Sequence, residues 1–211
     1  MPARDVSRLS AWRVITPMAP DDEQVLVARL SGGDTGAFDE VYDAYRPRVF
    51  AFLLRMSRNR TLAEDLLDET WLRLVSHAPR LLGDTRLGPW LFTVARNLYW
   101  SHRRDSLVEE TFASELLTLW PSPAPWPSAF DLAAAGELER RVERALGTLS
   151  PQYREVVLLV AHQGLMPTDA AQVCGISPEA LRQRLSRARA ALAEKLRQTP
   201  AVAALKKGYV T

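Results

Sequence analysis

Residues 178 to 197 carry six basic side chains, Arg182, Arg184, Arg187, Arg189, Lys195 and Arg197, against two acids, Glu179 and Glu194. Leu181, Leu185, Ala188 and Leu192 recur at helical spacing and form a stripe to bury. With that stripe inward, Glu179, Arg182, Gln183, Ser186 and Arg187 share the outer face near the helix start. Arginine can grip guanine with two hydrogen bonds, glutamine can do the same for adenine, and flanking arginines such as Arg189 can neutralise phosphates. Ahead of this helix, "GLMPTDAAQVCGIS" offers a shorter one that stops at Gly175, a residue that takes a left-handed backbone cheaply. Ser177 and Pro178 then restart the chain as a helix. Two helices around a tight glycine turn make a DNA-binding helix-turn-helix. A solvated arginine-rich helix in a bundle would carry the same charge, but the glycine and the Ser-Pro start favour the DNA reading.

A second basic set lies between Pro89 and Arg104. Opposite an apolar stripe of Trp90, Leu91, Val94, Ala95 and Leu98 stand Arg96, Asn97, Trp100, Arg103 and Arg104, with Tyr99 and His102 beside them. Arginines interleaved with aromatics suit opened DNA, because bases stack on rings while cations follow the backbone. For Trp100, core packing and base stacking fit the sequence equally well.

The third set is acidic. "TLAEDLLDETWLRL" puts Glu64, Asp65, Asp68 and Glu69 opposite Leu62, Leu66 and Leu67. Acids are favoured in a first helical turn by the helix dipole, whereas Asp68 and Glu69 lie beyond it and suit a basic protein partner. No nucleophile–base set or phosphate-binding glycine loop accompanies these carboxylates, so no enzyme is expected. The single cysteine, Cys174, and three scattered histidines give no metal-ligand spacing, so neither metal nor cofactor is expected.

The elements that must hold these sets are helical. Asp21 or Asp22 caps a first helix with Val25, Leu26 and Leu30 inward, closed by "SGGD". A second covers about 35 to 57, with Pro47 bending or restarting it. Thr61, with Glu64 three residues on, reads as a capping box opening the third. Pro89 stands at the first position of the fourth. Ser150 caps a helix ending at Gly164, and Thr168 caps the first helix of the helix-turn-helix. Between Arg104 and Arg140 there is no basic residue, and prolines stand at 121, 123, 125 and 127. Residues 105–136 therefore read as an acidic, Pro-rich linker, since a structureless loop that long is rare inside one domain. Its tryptophans, Trp120 and Trp126, suit docking against a domain or an inhibitor. The whole is an all-α chain of two small helical domains. Net charge is only +2 over 211 residues, so any nucleic-acid surface must be local. Without a membrane-length apolar run or a signal-peptide core, the chain is expected to be soluble and to stay in the reducing cytoplasm.

In order and spacing, "AFDEVYDAYRPRVFAFLLRMSRNRTLAEDLLDETWLRL", "GPWLFTVARNLYWSHRR" and "ALGTLSPQYREVVLLVAHQGLMPTDAAQVCGISPEALRQRLSRARAAL" resemble bacterial RNA polymerase sigma factors of the extracytoplasmic-function (ECF) group. The resemblance covers 21–104 as sigma region 2 and 137–199 as sigma region 4, with 1–20 and 200–211 outside the family core. It implies that Glu64, Asp65, Asp68 and Glu69 dock on the core polymerase. It implies that Arg96, Asn97, Trp100, Arg103 and Arg104 open and read the minus-ten element. Ser177, Glu179, Arg182, Gln183, Ser186, Arg187 and Arg189 would read the minus-thirty-five element. The linker would thread the polymerase towards its RNA exit path, and an anti-sigma factor would control the chain. Neither a small-molecule substrate nor a membrane contact is implied. Ala170 stands where the family has a larger aliphatic residue, and "LMPTD" replaces a more typical "LSYEE". A stand-alone dimeric helix-turn-helix repressor is the competing reading, but 21–104 resembles neither a ligand pocket nor a dimerisation coiled coil.

Overall fold

The computed structural model describes residues 20–113 and 137–198. The expected N-terminal extension, the centre of the acidic segment with Trp120 and Trp126, and the C-terminal tail lie outside the described residues. Within the described residues the regular structure is helical.

Helix α1 (Pro20–Ser31) buries Leu26, Val27 and Leu30. Val25, expected inward, is 59% exposed, because the apolar face centres on Val27. Gly33, at φ 81°, turns the chain, and the Asp34 side chain caps α2 (Thr35–Ser57) by accepting from the Gly36 and Ala37 amides. Helix α2 passes through Pro47 without restarting. Pro47 and Asp43 are both exposed, so water can serve the carbonyl left unpaired by the missing proline N–H.

Thr61 does not cap α3 (Arg60–His77). Arg58 ends α2 in a left-handed conformation at φ 57°, and Asn59 is extended directly after it. The Asn59 side chain takes the Leu62 amide at 3.2 Å, leaving Thr61 inside the helix and exposed. A 3-10 turn (Ala78–Arg80) leads towards α4 (Leu87–Ala113). Pro89 sits in the first turn of α4 rather than at its first position, where its missing N–H still costs nothing. The helix outruns the expected end at Arg104, since "DSLVEETFA" contains neither glycine nor proline to stop it. Phe52 and Phe92, both fully buried, meet edge to face at 5.5 Å and centre this bundle.

In the C-terminal unit, α5 (Glu137–Thr148) precedes α6 (Pro151–Val157), whose first turn is capped by Ser150 as expected. Helix α6 continues as a π-helical turn (Leu158–His162) that brings Gln163 inward, and Gly164 ends it at φ 68°. Helix α7 (Pro167–Cys174) starts with Pro167 at its first position. Met166 is the N-cap, so Thr168 is a helical residue and not the cap. Gly175, at φ 64°, makes the turn into α8 (Pro178–Gln198).

The two units pack closely. Arg154, 6% exposed, uses all five guanidinium N–H groups on backbone carbonyls: Leu146 and Gly147 in the last turn of α5, Leu149 just after it, and Arg55 and Met56 at the end of α2. Burial lowers its pKa from the ordinary arginine value. Arg55 pairs with buried Glu143 at 2.7 Å. Arg48 donates to the Gln163 carbonyl at 2.7 Å, and Gln163 returns a bond to the Arg48 carbonyl at 3.1 Å.

Candidate nucleic-acid interface

The helix-turn-helix is held by small and apolar contacts. Ala170, Ala171, Val173 and Cys174 on α7 and Leu181, Leu185 and Ala188 on α8 are all buried. Ala170, where the family resemblance implied a larger aliphatic residue, is completely buried. The Ser177 hydroxyl accepts from the Ala180 amide at 3.1 Å, so this residue caps α8 and remains exposed. Glu179, Arg182, Gln183, Ser186, Arg187 and Arg189 all project into solvent, as their spacing requires. Arg182 and Glu179 form an ion pair at 2.8 Å across one turn. The Glu179 carboxyl is held below its ordinary value chiefly by its own backbone N–H, with Arg182 adding to the effect.

On α4, Asn97, Arg103 and Arg104 are exposed, whereas Arg96 and Trp100 are half-buried. Tyr99, expected beside the basic face, is buried at 4% exposure and packs edge to face on Trp100. Trp100 packs, partly buried, against the hydrophobic core, one of its two expected environments. Its indole N–H donates to Glu155 Oε1 on α6 at 2.8 Å, and the same oxygen accepts from Arg96 Nε at 2.8 Å. Between the units lies a groove of about 530 Å³, lined by Arg96, Asn97, Trp100, Arg104 and Arg184 above Glu155. Cys174 also lines it, and burial, reinforced by the Glu155 charge, pushes the thiol pKa up to about 12. Nearby, Arg86 at the start of α4 pairs with buried Asp169 in the first turn of α7.

The acidic set lies on α3, with Glu64, Asp65 and Asp68 exposed and Glu69 half-buried. Arg60 binds Glu64 and Arg73 binds Glu69, both at 2.9 Å. Two residues of this face were missed in the sequence. Leu72 and Val75, four and seven residues after Asp68, are 62% and 55% exposed. Their departure from the buried stripe at Leu67, Trp71 and Leu74 was the available signal. Also missed were Glu143, Glu155, Gln163 and Asp169, whose partners across the two units stand between 55 and 115 residues away in the chain.

Among the described residues, no group of three histidine, cysteine or acidic side chains could hold a metal ion, and no helix is long and apolar enough to cross a membrane.

Residues 41–106 match the family model of Sigma-70 region 2, and residues 139–192 match that of Sigma-70 region 4. The chain is 36% identical over 170 residues to the RNA polymerase sigma factor CarQ of Myxococcus xanthus, covering 81% of this chain and 92% of that one. It is 32% identical over 152 residues to the ECF RNA polymerase sigma factor SigM of Bacillus subtilis, covering 72% of this chain and 90% of that one. Among solved structures, it is similar to the sigma factor RpoE of Bartonella quintana in complex with the anti-sigma factor NepR. That likeness has a TM-score of 0.63 at 27% identity, over 77% of this chain and 98% of the other. The fold also matches CnrH in complex with the cytosolic domain of CnrY, with a TM-score of 0.64 at 22% identity, over 84% and 98% of the two chains.

Proposed function

Because the chain belongs to the extracytoplasmic-function group of RNA polymerase sigma factors, we propose that its two basic faces read two separate promoter elements while α3 holds core polymerase. As a member of that family, it binds RNA polymerase and recognises promoters. The observation that carries the assignment of faces is the open side of α8. Arg182, Gln183 and Arg187 stand exposed at the start of a helix aimed by the tight turn at Gly175. A recognition helix presents that end to base edges in the major groove.

In this reading Ser177, Glu179, Arg182, Gln183, Ser186, Arg187 and Arg189 meet the minus-thirty-five element. Bidentate arginine and glutamine contacts specify bases, and Glu179 can accept from a cytosine amino group. Arg96, Asn97, Trp100, Arg103 and Arg104 meet the minus-ten element as it opens. Trp100 offers a ring to a displaced base, and the cations follow the single strand. Glu64, Asp65, Asp68 and Glu69 engage a basic surface of core polymerase, and exposed Leu72 and Val75 give that contact an apolar centre. The domains are region 2 from residue 21 to the end of α4 and region 4 at 137–199, tethered by the segment between them. The chain works as a cytoplasmic initiation factor without catalytic chemistry of its own. An anti-sigma factor holds it inactive, a reading supported by the complexes in which RpoE and CnrH were solved.

The test is reconstitution. Purified chain is mixed with core RNA polymerase and a fragmented genomic DNA library, and RNA 5′ ends are sequenced. Start sites sharing two upstream motifs, absent with core enzyme alone, are the expected result. Failure to associate with core polymerase or to direct any start site overturns the reading.

A further inference from the structure

Helix α1 carries none of the three faces assigned above, yet one of its acids reaches the start of the minus-ten helix. We infer that Glu23 is a positioning residue for minus-ten recognition: its carboxylate fixes the first turn of α4 against α1 and α2, so that one placement of the DNA-facing side chains is held before DNA arrives. The inference rests on the reading of α4 as the minus-ten helix.

Glu23 is 8% exposed, and a buried acid is costly unless it is hydrogen-bonded. Glu23 Oε1 accepts from the Gly88 amide at 3.0 Å and from the Tyr45 hydroxyl at 2.9 Å. The first amides of a helix have no partner within it, and Gly88 is buried, so water does not serve this one. Pro89 follows with no N–H, and the Trp90 amide donates to the Arg86 carbonyl at 3.0 Å. Glu23 therefore caps α4 from 65 residues earlier in the chain. Its charge also faces the positive end of a 27-residue helix.

Tyr45 on α2 completes the grip. Burial, with the Glu23 charge adding to it, pushes the Tyr45 hydroxyl above its ordinary pKa, so the proton stays on the phenol and is donated. Arg48, 4% exposed, lies 5.2 Å from the Tyr45 ring centroid and 5.9 Å from that of Phe92 on α4, which ties the same helices by a second route. The 3-10 turn Ala78–Arg80 packs on α1 as well. The chain between that turn and α4, with Leu82, Gly83, Asp84 and Arg86 exposed, is thus anchored at both ends by α1. Removing the Glu23 charge weakens both of its bonds and admits other placements of the α4 start. Discrimination between minus-ten bases is then averaged over those placements. Helix α8, held by α5, α6 and α7, keeps its own.

Holoenzyme reconstituted from core polymerase and wild-type, Glu23→Gln or Tyr45→Phe chain transcribes two promoter libraries, one randomised at the minus-ten element and one at the minus-thirty-five. The quantity read is the ratio of initiation from preferred over substituted sequences, which does not depend on how much of the protein is active. Glu23→Gln is expected to lower the minus-ten ratio by roughly tenfold, the difference between a charged and a neutral acceptor, and Tyr45→Phe by about threefold. The minus-thirty-five ratio is expected to stay unchanged. A merely structural role lowers initiation from every promoter and leaves both ratios alone. Co-purification with core polymerase checks folding. Tyr45→Phe keeps the ring beneath Arg48, so it carries the test where Glu23→Gln does not fold. An unchanged minus-ten ratio in chains that co-purify, or an equal fall at both elements, overturns the inference and leaves the proposed function standing. Wild-type chain that initiates without any preference at minus-ten overturns the assignment of α4 itself.

Discussion

Arg154 lets a structural claim be put to a number. Its five N–H groups reach carbonyls at 2.9–3.3 Å from the ends of two helices in different parts of the chain, with no carboxylate among them. Arg154→Met keeps much of the aliphatic stem and removes every one of those bonds. A net value of about 1 kcal/mol per bond, reduced where water reaches the freed carbonyls, gives a loss of about 3–5 kcal/mol. That is a large share of a stability of about 5–15 kcal/mol, and for a chain of this size it lowers Tm by about 10 °C. Arg154→Lys keeps the charge near both helix ends but replaces the planar fork with a point donor, so it should recover less than half of the loss. Chemical denaturation and calorimetry on the three proteins measure both quantities. A Tm within about 3 °C of wild type for Arg154→Met would refute the reasoning, because one kcal/mol alone shifts Tm by about that much. Full recovery by lysine would show that charge, not the geometry of five bonds, holds the units.

Other perturbations separate the remaining roles. Gly175→Ala adds a Cβ that meets nothing within 4 Å, so the expected cost of about 1 kcal/mol is purely the left-handed backbone, read by denaturant melts. Arg182→Ala and Gln183→Ala should lower transcription in a base-dependent way. Arg189→Ala should weaken all promoters alike and flatten the salt dependence of binding, measured as affinity against salt concentration. Asp68→Lys combined with Glu69→Lys should abolish co-purification with core polymerase while leaving the circular dichroism melt unchanged. Glu143 has a carboxyl raised above its ordinary value of 4.5 by burial, partly opposed by Arg55. The folded state therefore binds that proton more tightly than the unfolded one. Its contribution is fully present below the unfolded pKa and is lost as pH rises through the raised value. Glu143→Gln should remove that part of the slope in stability against pH just above the usual carboxylate range.

Much of the architecture was legible because it is local. The cap at Ser150, the turn at Gly175 and the stripe Leu181, Leu185, Ala188 each depend on residues a few positions apart. The misplaced caps failed for a local reason too. Asn59 and Met166, each two residues upstream of the expected threonine, start the helix first. The end of α4 was not legible, because the loss of positive charge after Arg104 does not end a helix, and glutamate, as at Glu109 and Glu110, is a good helix former. The contacts between the units were not legible at all. Arg48, Arg55 and Arg154 have the composition of surface residues, and only the fold brings them to partners 88 to 115 residues away. For the same reason, Arg96 and Trp100 could be assigned to one face of a helix but not to Glu155.

The most direct measurement is a nuclease footprint of the polymerase-bound chain on one promoter from which it initiates. Two separate protected or altered stretches are expected, centred near minus-thirty-five and minus-ten. Arg182→Ala should erase the upstream one alone, and Asn97→Ala combined with Arg104→Ala should weaken the downstream one alone. One continuous protected site, formed equally well by the chain without polymerase, would contradict the account.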